Sequence, residues 1–249
     1  HDALAVTTRL RRATPGSHAW LRLRVLDALY AEGDSASASA AANELAELSG
    51  AGRASASTSS ETWLADACVL AQWRLARGDT AGVRTTIAAL ASALPHETTP
   101  ILVRAQPNAC AVLLDASLAV ATAAPDAAAR LQRVDSMVFT PQVAGDAVAY
   151  APLLLARLYE RRGSAPLALR AVRRRTYMSG WPRYLANAWA MEARLAAQVG
   201  DSTGAVTATR RFLSLRDSPE DALVPQVESL RRRLALGPPD PPTELTSQR

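Results

Sequence analysis

Residues 74–82 read Arg-Leu-Ala-Arg-Gly-Asp-Thr-Ala-Gly, "RLARGDTAG". The Arg77-Gly78-Asp79 tripeptide inside it is an adhesion signal when an extracellular loop displays it. Its frame, however, returns along the chain. "YAEGDSASA" surrounds Gly33, "ERRGSAPLA" surrounds Gly163 and "AQVGDSTGA" surrounds Gly200. Each places Gly after a helical run, then Asp or Ser, then a small or capping residue, then a second amphipathic run. Glycine supplies the left-handed conformation that closes the first helix. The side-chain oxygen that follows accepts from the free N–H groups opening the next one. The tripeptide therefore reads as helix punctuation.

The spacing of these turns indicates an architecture. Gly33 and Gly78 lie 45 residues apart, Gly163 and Gly200 lie 37 apart, and "TAAPDAAAR" around Pro125 makes a similar break without Gly. Breaks at this interval are the signature of stacked helical hairpins. Five pairs are predicted: 17–31 with 35–48, 60–77 with 80–94, 107–122 with 125–137, 146–162 with 165–174, and 182–199 with 202–215. A helix near 2–12 precedes them and a capping helix at 224–236 follows. "SGAGRASASTSS" suggests a flexible loop over about 49–60, within a single repeat domain spanning 1–236. The prolines of "GPPDPPTELTSQR" cannot continue a helix, so 237–249 reads as a tail.

Composition agrees. Hydrophobic residues make up 49% but aromatic ones only 5%, and abundant Ala combines high helix propensity with close helix approach. All 28 basic residues are Arg, with 23 acidic residues interspersed and a net charge of +5. A basic balance this mild, with no reading motif beside it, makes nucleic acid an unlikely partner. No apolar run approaches the roughly 20 residues a membrane-spanning helix needs. The chain opens at His1 without an initiator Met, as a processed chain, or a piece of a longer one, does.

The helical units resemble tetratricopeptide repeats (TPR), a motif of about 34 residues with small residues at its helix crossings. In the fifth unit Trp189, Ala193, Gly200 and Ala205 occupy the motif's positions, and in the fourth Leu155, Ala156, Tyr159, Gly163 and Ala168 do so. The second keeps Leu70, Ala71 and Gly78 but has Val83 where Ala is usual; the first and third match poorly. The resemblance implies an all-α, right-handed superhelical stack. Residues 159–235 also resemble the C-terminal repeat region of large bacterial signalling proteins that carry a serine/threonine kinase or cyclase-like domain upstream. No kinase glycine loop or catalytic-loop motif is present, so a repeat module is implied rather than kinase activity.

Chemistry-bearing residues are sparse. Glu220 and Asp221 precede a helical pattern, where acidic groups favour the helix N-terminus. His18 follows the cap candidate Ser17, His96 follows Pro95 in a loop, and neither has a metal-ligand partner at suitable spacing. Cys68 and Cys110 fall on the first helices of adjacent hairpins and are expected as two buried free thiols, since disulfide geometry is demanding. The expectation is no enzyme, no cofactor and no metal site.

One cluster stands out. "LRAVRRRTYMSGWPRYL" gathers Arg170, Arg173, Arg174, Arg175 and Arg183 with Tyr177, Trp181 and Tyr184. Arginine with aromatics is typical of interface anchors; the competing reading is a helix C-terminus favoured by cations, with Trp181 plugging a gap between units. A second run, Arg231 to Arg233, reads as a solvated face. The stack is thus expected to offer a long, rigid surface to other protein subunits. Two functions follow: a structural or assembly subunit of a larger complex, or the sensory or scaffolding region of a signalling protein. The style of the sequence is similar to that of a bacterial lineage including phototrophs. The specific form of the first reading is thus an extrinsic subunit of a membrane complex, such as a photosynthetic reaction centre with its antenna. This places the chain at a membrane periphery, on the extracytoplasmic side in preference to the cytoplasmic.

Overall fold

The recurring turns set the fold. A computed structural model describes residues 16–31, 34–55, 60–92, 101–137, 150–175, 182–216, 219 and 224–235. These form α1 (His18–Tyr30), α2 (Ser35–Ser55), α3 (Ser60–Ala76), α4 (Thr80–Ser92), α5 (Ile101–Ala121) and α6 (Ala127–Asp135). They continue with α7 (Ala151–Arg161), α8 (Ala165–Arg173), α9 (Pro182–Gln198), α10 (Ser202–Ser214) and α11 (Val224–Ala235). Among the described residues there is no strand. Consecutive helices pair as five hairpins, each packed on the next, and α11 lies against α10. The helix predicted near 2–12 and the tail at 237–249 fall outside the described residues. Of the loop predicted over 49–60, residues 49–55 are instead the last turns of α2; Gly50 and Gly52 are poor helix formers, but buried Ser49 is bonded to Asp66 of α3, so tertiary contact supports the helix there.

At Gly78, Gly163 and Gly200 the backbone is left-handed, with φ of 81°, 73° and 82°. In each turn the next residue's N–H reaches back five positions: Asp79 to the Arg74 carbonyl, Ser164 to that of Tyr159, Asp201 to that of Ala196. These are Schellman closures. The glycine-free break makes the same bond, from Ala124 N–H to the Ala119 carbonyl, with Ala123 held at φ 52°. Alanine there carries a Cβ penalty that glycine avoids. Asp79 and Asp201 then open α4 and α10 by accepting from the Gly82 and Gly204 amides at 2.8 Å each. Arg77 stacks on Trp73 and donates to Ser39 Oγ at 2.8 Å. Both charges of the tripeptide are therefore engaged by the chain's own hairpins.

One apolar core runs through the hairpins from Leu21 to Ala196, with Ala71, Ala116, Ala156, Ala168, Ala188 and Ala196 fully buried within it. A smaller cluster of Ala186, Phe212 and Val227 seats α11. The first helices of hairpins two and three, α3 and α5, pack directly. That proximity brings the Cys68 and Cys110 Cα atoms to 6.0 Å and closes a disulfide, within the normal span. The two free thiols expected from the sequence are corrected accordingly.

Hairpin one reaches beyond its neighbour. The Tyr30 ring stacks on Tyr150 at 4.9 Å, and its hydroxyl donates to Gln72 Oε1 at 2.6 Å. Arg157 of α7 donates to the Leu29 carbonyl at 2.7 Å, and Asn187 of α9 donates to the Tyr30 carbonyl at 2.8 Å. The last carbonyls of a helix lack intrahelical donors, and here distant hairpins supply them. The row of first helices therefore curls until hairpin one meets hairpins four and five.

Candidate interaction surface

The arginine cluster sits where hairpin four meets both neighbours. Its charges arise at the C-terminal end of α8, where the helix dipole favours cations. Arg170 pairs with Asp135 at the end of α6, and Arg174 pairs with the same carboxylate at 2.8 Å. On the other side Arg173 holds Glu192 of α9 at 3.0 Å and Asp201 at 2.5 Å. Arg175 holds the second oxygen of Glu192 at 2.5 Å, and its guanidinium lies 3.3 Å from the centroid of Trp189. Arg211 of α10 approaches the same indole ring at 4.6 Å. Arg170, Arg173, Arg174 and Arg175 thus clamp hairpin four to hairpins three and five.

Charge and burial tune these groups. The hydrogen bond to Asp201, supported by Glu192, raises the Arg173 guanidinium above its usual value. Arg173 and the Gly204 amide reciprocally hold the Asp201 carboxyl below the carboxylate range. Burial pulls the Arg175 guanidinium down, and the Glu192 charge opposes it. Tyr184, expected as a surface anchor, is buried edge-on to Tyr150 at 4.9 Å, and burial pushes its phenol up. Tyr177 and Trp181 lie outside the described residues, as does the Arg183 side chain. The outward faces that remain belong to Arg170, 58% exposed, with Arg173 and Arg174 at 39% and 38%.

A second polar centre was not singled out from the sequence. Asp66, on α3, is completely buried. Its Oδ1 accepts from Arg22 at 2.7 Å, and its Oδ2 accepts from Ser49 Oγ at 2.7 Å and contacts His18 Nδ1 at 2.5 Å. The partners come from α1 and α2, so one carboxylate ties both helices of hairpin one to hairpin two. His18 joins α1 to α3 through this carboxylate, and Ser17 caps α1 through the Trp20 amide at 3.3 Å. A signal existed only in the helical pattern: Asp66 shares its side of α3 with buried Val69, Leu70 and Trp73, three, four and seven positions on, an acid in an apolar stripe. His96, Glu220 and Asp221 lie outside the described residues. Arg231 and Arg232 are both exposed, Arg231 also donating to the Arg216 carbonyl at 3.4 Å, so the described members of the second arginine run lie on a solvated face.

Among the described residues no group of three or more His, Cys, Asp or Glu is arranged to hold a metal ion. In the same residues no helix is long and apolar enough to cross a membrane. Val199 is the only large hydrophobic residue they leave exposed. In comparisons with known proteins, no family model, curated protein or solved structure matches the chain.

Proposed function

We propose that the protein is a non-enzymatic interaction scaffold, a structural or assembly subunit of a larger complex, built on a TPR-like plan. The observation that carries this reading is the hairpin stack itself: each unit buries its apolar face on the next, leaving a preorganised, polar outer surface. The small residues that the repeat motif places at helix crossings support the TPR-like form. Ala71, Ala156 and Ala168 are all fully buried. The Cys68–Cys110 disulfide supports an extracytoplasmic location, since such bonds persist in oxidising compartments. With the phototroph-like style of the sequence, that supports the specific form, an extrinsic subunit on a membrane complex such as a photosynthetic reaction centre with its antenna. The outward edges of Arg170, Arg173 and Arg174 are the proposed rim for an acidic partner, together with Tyr177, Trp181 and Arg183.

The test is native isolation of the chain from membrane and periplasmic fractions at low and high salt, followed by intact-mass measurement. A chain near 26.4 kDa, held stoichiometrically with other subunits and released by salt, is the expected result. A monomer alone in every fraction rejects the proposal. A much larger intact chain instead supports the signalling-protein reading implied by the resemblance of residues 159–235.

A further inference from the structure

A cleft of about 250 Å³ opens between α2, α3 and α4. Its walls are apolar: Trp63, Ala67 and Leu70 from α3 face Ala46 and Ala89 from the helices on either side. An apolar cavity of about 150 Å³ is enough to admit a benzene ring, so this cleft, though open to solvent on one side, has volume enough for a ring with a short arm. The alanines create the space, because larger side chains at 46, 67 and 89 would fill it.

The polar groups around the cleft have an uneven chemistry. The Ser49 hydroxyl, buried, donates to Asp66 Oδ2 at 2.7 Å. Thr85 and Thr86 donate to the Ala81 and Gly82 carbonyls at 3.2 and 2.9 Å. Each hydroxyl proton is thus committed to the protein. The remaining side-chain donor lining the cleft with a charge is Arg74, in the last turn of α3. Arg77, one turn later, lies over Trp73 and binds Ser39. Arg74, by contrast, is exposed and has neither an ion pair nor a side-chain hydrogen bond among the described residues. A guanidinium offers a planar fork matched to a carboxylate.

We propose that this cleft binds a small aromatic monocarboxylate, its ring against Trp63, Ala67 and Leu70 and its carboxylate on Arg74. This ligand site is separate from the partner surface proposed above, and it does not depend on that reading. An apolar body surrounded by few polar groups, one of them charged and orienting, is the usual composition of a small-molecule site.

The probe is 3-phenylpropionate, measured by calorimetry and ligand-observed NMR on the oxidised full chain, with 3-phenylpropanamide as the neutral comparator. The acid is expected to saturate one site in the millimolar range or tighter, and about tenfold more tightly than the amide. Arg74→Gln should erase that preference while the helical spectrum stays unchanged, and Arg84→Gln, on α4 outside the cleft, should preserve it. Ala67→Leu should abolish binding of both compounds; Ala89→Leu, on the opposite wall, serves if the first variant fails to fold. Absence of saturable binding by the acid, or an acid preference that survives Arg74→Gln, overturns the proposal.

Discussion

Hairpins one to three and hairpins three to five solve the same stacking problem by different means. The N-terminal units are joined inside the core, by one fully buried carboxylate with three partners and by a disulfide. The C-terminal units are joined at the rim, by arginines on carboxylates that remain partly open to water. The difference follows the quality of the repeats. Units four and five carry the small residues and glycines that let hairpins nest by packing, and surface ion pairs add little to that. Units one and three lack much of the pattern, and specific buried links stand at their junctions.

Asp66→Ala is the most severe challenge to this comparison. It leaves Arg22, His18 and Ser49 without their acceptor, and breaking a buried pair in this way costs about 3–5 kcal/mol; chemical denaturation should show a loss at the upper end. Cys68→Ser with Cys110→Ser comes next. The bond joins residues separated by 42 positions, for which the loop-closure estimate is about 4 kcal/mol, subject to offset by relaxation of the native state. Reducing agent should reproduce the loss in the parent chain and have no effect on the double variant.

Arg175→Ala probes the C-terminal junction at its most enclosed point, the arginine side chain being 12% exposed. Loss of the Glu192 pair and of the stacking on Trp189 should cost about 2 kcal/mol. A cost equal to that of Asp66→Ala would remove the distinction between the two regions. Ala123→Gly should repair the third unit's turn and raise stability by about 1 kcal/mol; a decrease would show that its left-handed residue is favoured by something other than the closure.

The smallest effect is electrostatic. The Asp201 carboxyl is held below its usual range by Arg173. Its contribution is therefore complete above the unfolded carboxylate value of about 3.9 and disappears as pH falls through the lower folded value. Asp201→Asn should be less stable than the parent at neutral pH and converge with it in acid, and added salt should narrow the gap at neutral pH. A gap that persists unchanged in acid would mean that the carboxylate acts through geometry alone.

The turns were the most legible part of the sequence. Gly78, Gly163 and Gly200 mark left-handed closures because a Cβ is disfavoured there, and the following Asp79 and Asp201 mark helix starts because their oxygens meet free amides. From these, hairpins two, four and five could be placed, while Gly33 and the break at Pro125 placed the first and third. The end of α2 was less legible, since Ser, Gly and Ala over 49–55 suit a loop as well as a helix and tertiary packing chooses. The arginine cluster was legible as a cluster but not in its direction: Asp135, Glu192 and Asp201 lie up to 38 residues from Arg173 in the chain.

By itself, then, the sequence determined local geometry: which segments are helical, where they stop, and that neighbouring segments fold back as hairpins. These outcomes depend on backbone conformation and on contacts within a few residues. Only the tertiary structure decided that Cys68 meets Cys110, that Asp66 collects partners from two other helices, and that α7 and α9 supply the donors for the end of α1. Such pairings depend on how successive hairpins rotate against one another. That rotation is set by the summed packing of many small side chains, a quantity that no single motif records.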